Sequence, residues 1–331
     1  MSPVLKRFLF FAVPVLIGAA GIHAWRTRPS PADATNPPPE AVRHSQRTSR
    51  VAAPASLNSI TDAGQAWQVR VALLRNALRS ECGEPEIRYM YELLAKGPPK
   101  GELPEHWYII ANEFMGQLLS HDTDCERLSS NLLRLLQDAR QPLVLRDYAV
   151  QYLVTMLSPH SRQSPTGQVT QPPPAIATQI LDALITATKD PLLEQSSIPG
   201  TTLMMLVNLV RSPGDVDCTQ AITALKPWLT LALQDGSSLS TPVRVSAVQA
   251  AGVLAPNEFR PTLRRLAYQE NGQSSLRLPA IAAIAHCGES ADLEKLEQIT
   301  RTHPELFYAA REAGTTLATR LARAEPQSGS E

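Results

Sequence analysis

The residues best suited to chemistry in this sequence are its cysteines and two histidine-containing clusters. The pair His286-Cys287 could form a thiol nucleophile activated by imidazole. Neighbouring residues on a helix point about 100° apart, so these two side chains are not expected to meet. The run from His121 to Cys125 is the densest group of potential metal ligands. Because zinc needs four converging ligands, we interpret the aspartates of this run as helix caps and predict no metal site and no cofactor.

The sequence lacks the compact motifs by which many active sites can be recognised. It contains no Gly-x-Gly-x-x-Gly or Walker A loop, no His-Glu-x-x-His or Gly-x-Ser-x-Gly motif, no Cys-x-x-Cys pair and no EF-hand loop. We therefore predict no catalytic residues and do not expect the chain to be an enzyme.

The elements that would position these residues are helices. Amphipathic stretches alternate with Pro, Gly, Ser and Asp from about residue 57 to 323, and none shows the period-2 alternation of a strand. The pattern predicts thirteen helices, at residues 62–80, 85–96, 104–120, 124–139, 142–157, 174–188, 198–211, 217–234, 240–254, 258–269, 275–287, 291–302 and 304–323.

A proline-rich loop at 158–173 divides this region into two sets of repeats. The N-terminal repeats are expected at 57–157 and the C-terminal repeats at 174–323, as two subdomains of one stack. Residues 324–331 are polar and are predicted to form a frayed tail.

One short pattern occurs three times at the starts of predicted helices. Its copies are Leu145-Arg146-x-x-Ala149-Val150, Val243-Arg244-x-x-Ala247-Val248 and Leu276-Arg277-x-x-Ala280-Ile281. The last two copies lie 33 residues apart, a period typical of helix-pair repeats. Stacked repeats of this kind bury small residues between close helices.

The residues around the last two copies resemble a known family. Pro242 to Leu254 resembles the first helix of a bacterial HEAT repeat, and Leu276 to Leu296 resembles its helix, Gly-acidic turn and second helix. Phe307 to Leu321 is similar to a divergent terminal copy, whereas Pro279 departs from the pattern and predicts a kink or a late helix start. The resemblance implies an all-α fold, a right-handed α-solenoid of HEAT-like helix pairs with a protein-binding concave surface. It implies no activity.

The start of the chain indicates its location. Lys6 and Arg7 precede an uncharged, mostly apolar run of 18 residues, 8–25, within the roughly 17–25 that span a bilayer. We predict a signal anchor in residues 1–26, a cytoplasmic N-terminus and a single-pass membrane protein whose body lies in the periplasm or otherwise outside the cytoplasm. One alternative is a cleaved signal peptide, for which Ala20 and Ala24 offer small residues, and another is a buried N-terminal core helix.

The next segment differs in composition and charge from the rest. Residues 27–56 contain six prolines without apolar periodicity and are predicted to form a disordered linker.

The chain carries 31 basic and 31 acidic residues, but residues 1–50 hold seven basic and two acidic ones, a net charge of +5. The remainder, with a net charge of −5, gives no support for nucleic-acid binding, so no nucleic-acid partner is predicted.

The four cysteines, Cys82, Cys125, Cys218 and Cys287, are interpreted as structural. An even number in an exported protein favours disulfides, and four cysteines allow three connectivities. Cys82 and Cys125 open the second and fourth predicted helices, which are parallel in stacked hairpins, so Cys82–Cys125 is the sterically easiest pair. Cys218–Cys287 follows by elimination. Four buried thiols or a redox role at a helix start are the alternatives.

These features predict a membrane-tethered, extracytoplasmic protein-interaction scaffold. Its partner is an unknown protein on the solenoid surface, and it touches the membrane through residues 8–25. One rival is an enzyme or thiol-redox protein whose site lies in the concave face. A second rival is a lyase or carrier that holds a small ligand in the groove, although no residue points to one.

Overall fold

The computed structural model describes residues 55–80, 82–158, 172–212, 216–269 and 274–324. These residues are helical throughout, with 3-10 helices at Ala55–Thr61 and Pro304–Leu306 and no strand among them. Their α-helices are α1 (Trp67–Ser80), α2 (Glu84–Lys96), α3 (Pro104–His121), α4 (Cys125–Gln137), α5 (Leu143–Leu157), α6 (Pro174–Lys189), α7 (Ile198–Arg211), α8 (Thr219–Leu233), α9 (Thr241–Leu254), α10 (Pro256–Tyr268), α11 (Ser274–Cys287), α12 (Ser290–Thr302) and α13 (Phe307–Ala324).

Each of the predicted helices is present, with small shifts at the ends. The first begins at Trp67 rather than at 62, because the chain before it forms a 3-10 helix and a turn in which Asp62 accepts the Gly64 amide. The late start expected from Pro279 is wrong: α11 begins at Ser274 and carries the proline inside it.

The helices alternate between two layers. From α1 to α13, each odd-numbered helix packs on the next odd-numbered helix, and we call this set the odd layer. The even-numbered helices form the even layer, and each packs on the odd helix that follows it. Contacts continue from α4 to α6 and from α5 to α7, so the repeats on either side of the 158–173 loop form one stack. An array in which units contact their sequence neighbours is a helical-repeat fold.

Small residues let the odd helices approach closely. Ala247, Ala250, Ala280 and Ala283 are buried, as the repeat pattern predicts. A Cβ added at Gly252 of α9 would lie 2.9 Å from the Cβ of Ala283 on α11, closer than carbon atoms tolerate. Glycine is therefore needed there because no side chain fits between the two helices.

In the even layer, α4 packs on α6 and α6 on α8, and the other three neighbouring pairs are joined by charged side chains. Between α2 and α4, α8 and α10, and α10 and α12, oppositely charged side chains join the neighbours. These ion pairs are Arg127–Glu84, Lys226–Glu258 and Arg264–Asp292, each at 2.7 Å.

The arginine of the threefold pattern has a structural task. Arg146, Arg244 and Arg277 are buried, and each Nε donates to a carbonyl in the last turn of the preceding even helix. Those carbonyls have no partner within their own helix, so the arginine caps it and fixes the odd helix against it. The three bonds join Arg146 to Leu136 (2.7 Å), Arg244 to Ala232 (3.0 Å) and Arg277 to Ala267 (3.1 Å).

We expect Arg244→Met to destabilise the protein by about 3 kcal/mol or more, as measured by urea unfolding. Methionine keeps the apolar stem but loses the bonds to Ala232 and to the Gln234 carbonyl (2.7 Å), and bonds from charged donors are worth about 1.5–3 kcal/mol each. Arg265→Met is the matched control, because its pair with Asp235 is exposed and should contribute less than about 1 kcal/mol. Equal effects of the two changes would contradict the capping role.

The described residues contain no helix that is both long and apolar enough to cross a membrane. The predicted anchor at 8–25 and the linker at 27–56, except for its last two residues, lie outside the described residues. Most of the 158–173 loop and the tail after Ala324 also lie outside them.

Candidate interaction surface

The four cysteines do not form disulfides in the described part of the chain. Cys82 is half-buried ahead of α2, Cys125 begins α4, Cys218 precedes α8 and Cys287 ends α11. The predicted pairs Cys82–Cys125 and Cys218–Cys287 are therefore not supported.

The packing explains why neither pair forms. The starts of α2 and α4 do come together, but Arg127 joins them by binding Glu84 at 2.7 Å and Asp122 through two nitrogens. The other pair lies on helices with different neighbours. The helix α8 packs on α6 and α9, whereas α11 packs on α9, α10 and α13.

Three of the four thiols are in settings that disfavour the reactive thiolate. Burial raises the pKa of both Cys82 and Cys287 to about 11, and it also raises the pKa of Cys218. The thiolate is the nucleophile in cysteine chemistry, so these groups are neutral near pH 7. His286 lies at the surface while Cys287 is 2% exposed, so the two point into different environments.

The cluster from His121 to Cys125 serves the fold. Asp124 is the N-cap of α4 and accepts the amides of Glu126 and Arg127, as predicted. Capping is the wrong explanation for Asp122, which is buried and accepts the Tyr91 hydroxyl at 2.7 Å. The described residues hold no group of three or more His, Cys, Asp or Glu side chains placed to bind a metal ion.

A second buried aspartate repeats this arrangement near the other end of the array. Asp292 accepts the Tyr268 hydroxyl at 2.8 Å and two nitrogens of Arg264 at 2.7 and 2.9 Å. Burial raises the pKa of Asp292, but the bonds from Arg264, the Glu289 amide and Tyr268 outweigh it, and the pKa lies below its usual value. The carboxylate is thus an ionised anchor between α10 and α12.

Two clefts open on the even layer. One of about 180 Å³ lies between α2 and α4 and includes Tyr91, Leu94 and Leu132 in its wall. The other, of about 430 Å³, lies between α4 and α6. Both include Arg140 and Asp138, which pair with each other at 2.9 Å.

The outward side of the odd layer from α5 to α11 offers a broader surface. The helix α11 is covered by α9, α10 and α13, which leaves one stripe of residues spaced three or four apart. The helices α5, α7 and α9 show equivalent stripes, and we call the four together the odd face. Its residues are Asp147, Tyr148, Gln151, Tyr152 and Thr155 of α5; Thr201, Met204, Met205, Asn208 and Arg211 of α7; Val245, Ser246, Gln249 and Val253 of α9; and Ser275, Leu278, Ala282 and His286 of α11.

Charge is scarce on the odd face. Its one carboxylate, Asp147, accepts Ser197 at 2.9 Å, Thr201 at 2.8 Å and Gln151 at 2.9 Å, so its polar capacity is used within the protein. Arg211 and His286 lie at the C-terminal ends of their helices. The centres of protein interfaces are enriched in tyrosine and methionine and depleted in acidic and lysine side chains, and the odd face has this composition.

One tyrosine of this face, Tyr152, is held in place by a hydrogen bond. The Tyr152 hydroxyl donates to the Asn112 carbonyl on α3 at 2.9 Å, and its oxygen lies 3.2 Å from where a Cβ would stand on Gly116. Burial raises the pKa of Tyr148 and of Tyr152, so both are neutral hydrogen-bonding groups. A rigid, half-buried aromatic side chain gives contact area at a small entropic cost.

No sequence motif marks the odd face. A signal exists, since α5, α7, α9 and α11 carry at most two Asp, Glu, Lys or Arg residues each, and Arg146, Arg244 and Arg277 among these are buried. To find the face from sequence, one must know which arginines cap neighbouring helices.

Comparisons with known proteins do not assign this chain to a family. No protein-family model matches the sequence, and no curated protein matches it. A crystal structure of an engineered protein is similar with a TM-score of 0.39 at 15% identity, covering 71% of this chain and 97% of that one. Human deoxyhypusine hydroxylase in complex with glycerol is similar with a TM-score of 0.30 at 16% identity, covering 79% of this chain and 94% of that one.

Proposed function

We propose that this protein is an interaction scaffold whose odd face binds a protein partner. The observation that carries the proposal is the charge-poor surface formed by four successive odd helices, with tyrosines on α5 and methionines on α7. Repeat arrays commonly use such extended surfaces to bind other proteins.

The two layers favour the odd face as the concave side. The helices α9 and α11 approach to the distance at which only glycine fits between them, whereas ion pairs span the gaps between α2 and α4, α8 and α10, and α10 and α12 in the even layer. A stack curves toward the layer with the closer spacing. In the same proposal the array is a right-handed solenoid of HEAT-like pairs, in agreement with the sequence resemblance.

The proposed location rests on the sequence before residue 55. The apolar run 8–25 after Lys6 and Arg7 would anchor the chain, and the proline-rich segment that follows would hold the repeats away from the membrane. The repeats would then meet their partner outside the cytoplasm.

The proposal predicts that Leu278→Arg weakens partner binding while Leu231→Arg does not. Both leucines are exposed, by 49% and 58%, but Leu278 lies on the odd face and Leu231 on α8 of the even layer. An arginine in the middle of an apolar contact should lower affinity by at least about tenfold. The measurement is quantitative mass spectrometry of proteins retained by each tagged full-length chain from membrane extract of its own cells.

Both variants should melt at the temperature of the wild type, because neither leucine belongs to the core. A protein retained by the wild type and by Leu231→Arg, and depleted at least tenfold with Leu278→Arg, is the expected result. Equal retention by all three chains, or loss with Leu231→Arg alone, would show that the odd face is not the binding surface.

A further inference from the structure

The first odd helix, α1, can be placed in register with the later ones through its buried arginine. Arg70 donates to the Ile60 carbonyl, ten residues earlier, just as the arginines of α5, α9 and α11 donate to the elements that precede those helices. Residues at the same distance from these arginines are therefore equivalent in the four helices.

One stripe of each odd helix faces the odd helix before it. In α5 the Tyr152 hydroxyl donates to the Asn112 carbonyl of α3 at 2.9 Å. In α11 the Cβ of Ala283 lies 2.9 Å from where a Cβ would stand on Gly252 of α9. Tyr152 and Ala283 each come six positions after the arginine of their helix. The residue just before the arginine and the residue three after it share this stripe, since the spacing is that of one helix side. These residues are at most 2% exposed in Leu145 and Ala149, Val243 and Ala247, and Leu276 and Ala280.

The same stripe of α1 is open. Val69 and Leu73, which hold the two positions that are buried in the later helices, are exposed by 50% and 38%. Ala72 and Asn76 complete the stripe and are exposed as well. We call Val69, Ala72, Leu73 and Asn76 the end stripe. It is the packing face of an odd helix, and no odd helix of the described residues lies against it.

The other end of the array closes differently. Beside Tyr308, the last helix α13 exposes the polar side chains of Arg311, Glu312, Thr315 and Thr319. Terminal repeats of an array need a polar outer face to remain soluble, and α13 provides one whereas α1 does not. A head-to-tail contact between two copies would set this charged face against an apolar stripe, so the geometry disfavours an open filament.

The sequence before residue 55 offers no helix that matches the end stripe. Residues 27–56 contain six prolines without an apolar period, and the mostly apolar run 8–25 has no polar side. A helix that covers the end of the array needs one apolar and one polar side. The helix α1 of a second copy meets this requirement. The end stripe carries no charged side chain, and Arg75 beside it is already paired with Glu113 at 2.7 Å.

We propose that two copies of this chain associate through their end stripes. A two-fold axis through the middle of the stripe brings Ala72 and Leu73 against the same residues of the second copy, so the contact closes at a dimer. Ala72 lets the two helices approach, as the buried alanines do within the odd layer. The dimer goes beyond the proposed function and does not depend on the odd face. One helix pair is smaller than a standard protein interface, so we expect a dissociation constant in the micromolar range.

Disulfide trapping of the full-length chain tests which surfaces meet. Ala72→Cys and its matched control Thr315→Cys each place a thiol at an exposed position, at opposite ends of the array. Under mild oxidation Ala72→Cys should give a dimer linked between the two copies of residue 72, and Thr315→Cys should give none. The wild type measures the background from the native cysteines, three of which are buried.

Sedimentation equilibrium of the full-length chain in detergent solution, up to about 0.1 mM, measures the strength of the contact. Leu73→Lys sets like charges against each other across the two-fold axis and should weaken the dimer at least about tenfold. Leu231→Lys is the control, because this leucine is 58% exposed on α8 and its replacement should leave the dimer unchanged. Neither leucine is buried, so both variants should melt with the wild type.

Three results would overturn the proposal. The first is a monomer at every concentration; if Leu73→Lys then also lowers the melting temperature, the stripe is covered from within the same chain. The second is a dimer that Leu73→Lys leaves as strong as the wild type. The third is a disulfide between residues 72 and 315 when the two cysteine variants are mixed, which would show head-to-tail packing.

Discussion

Ala280→Arg is expected to unfold the C-terminal repeats at temperatures where the wild type is folded. Ala280 is fully buried on α11, which packs on three helices, two of them in its own layer. An arginine there must overpack a close helix contact and leave a charge buried without a partner. Together these effects should destabilise the protein by several kcal/mol, about 4 or more. Thermal and urea unfolding followed by circular dichroism measure the change.

Ala282→Arg is the control for this experiment. It introduces the same side chain on the same helix, but Ala282 lies on the outward stripe and is only partly covered. The cost should stay within about 1 kcal/mol. An unchanged melting temperature for Ala280→Arg would mean that the alanines of the repeat do not form the helix contact, and the repeat register would be wrong.

Glu102→Gln is expected to cost about 3–5 kcal/mol, because it leaves a buried arginine without its counter-charge. Arg70 of α1 and Glu102, in the loop before α3, form a two-nitrogen ion pair with side chains only 1% and 2% exposed. Within the described residues, Arg70 otherwise donates only to the Ile60 carbonyl, at 3.4 Å, and its Nε has no hydrogen-bond partner. Urea unfolding measures the loss.

Two further variants make this prediction specific. Glu105→Gln removes a carboxylate from the exposed first turn of α3 and should change stability by less than about 0.5 kcal/mol. The double variant Arg70→Met with Glu102→Leu replaces both charges by apolar groups and should recover most of the stability. A loss in the double variant as large as in Glu102→Gln would show that packing, not the unpaired charge, is responsible.

The helices could be predicted because their signals are local. The 3.6-residue apolar period and caps such as Asp124 depend on neighbours in sequence, and they located every α-helix to within a few residues. The capping role of the repeated arginine could not be predicted from local sequence. Its acceptor lies ten or twelve residues earlier on another helix, and only the packing of the two layers brings them together.

The repeat pattern did not identify Arg70 or its ion pair with Glu102. It occupies the place of Arg146 in its own helix and reaches back ten residues to Ile60, but its helix has Leu73 where the pattern has alanine. Its main partner, Glu102, comes from a loop 32 residues later. Charges that pair across such distances cannot be matched from one sequence.

The predicted disulfides are not supported, for a related reason. The sequence correctly indicates that the starts of α2 and α4 come together, since Arg127 and Glu84 meet there. Which side chains face each other across that gap depends on the rotation of each helix. The rotation is set by the core, which turns Cys125 inward and leaves Arg127 to make the contact.

The most direct test of the proposed scaffold is photo-crosslinking in intact cells from single positions on the two layers. A benzophenone amino acid is placed at Leu278 or Met204 on the odd face, or at Leu231 on the even layer, in the full-length chain. Because both odd-face positions touch the same bound partner in our account, they should yield one common crosslinked protein that Leu231 does not yield. A common product from Leu231 and none from Leu278 and Met204 would contradict the account.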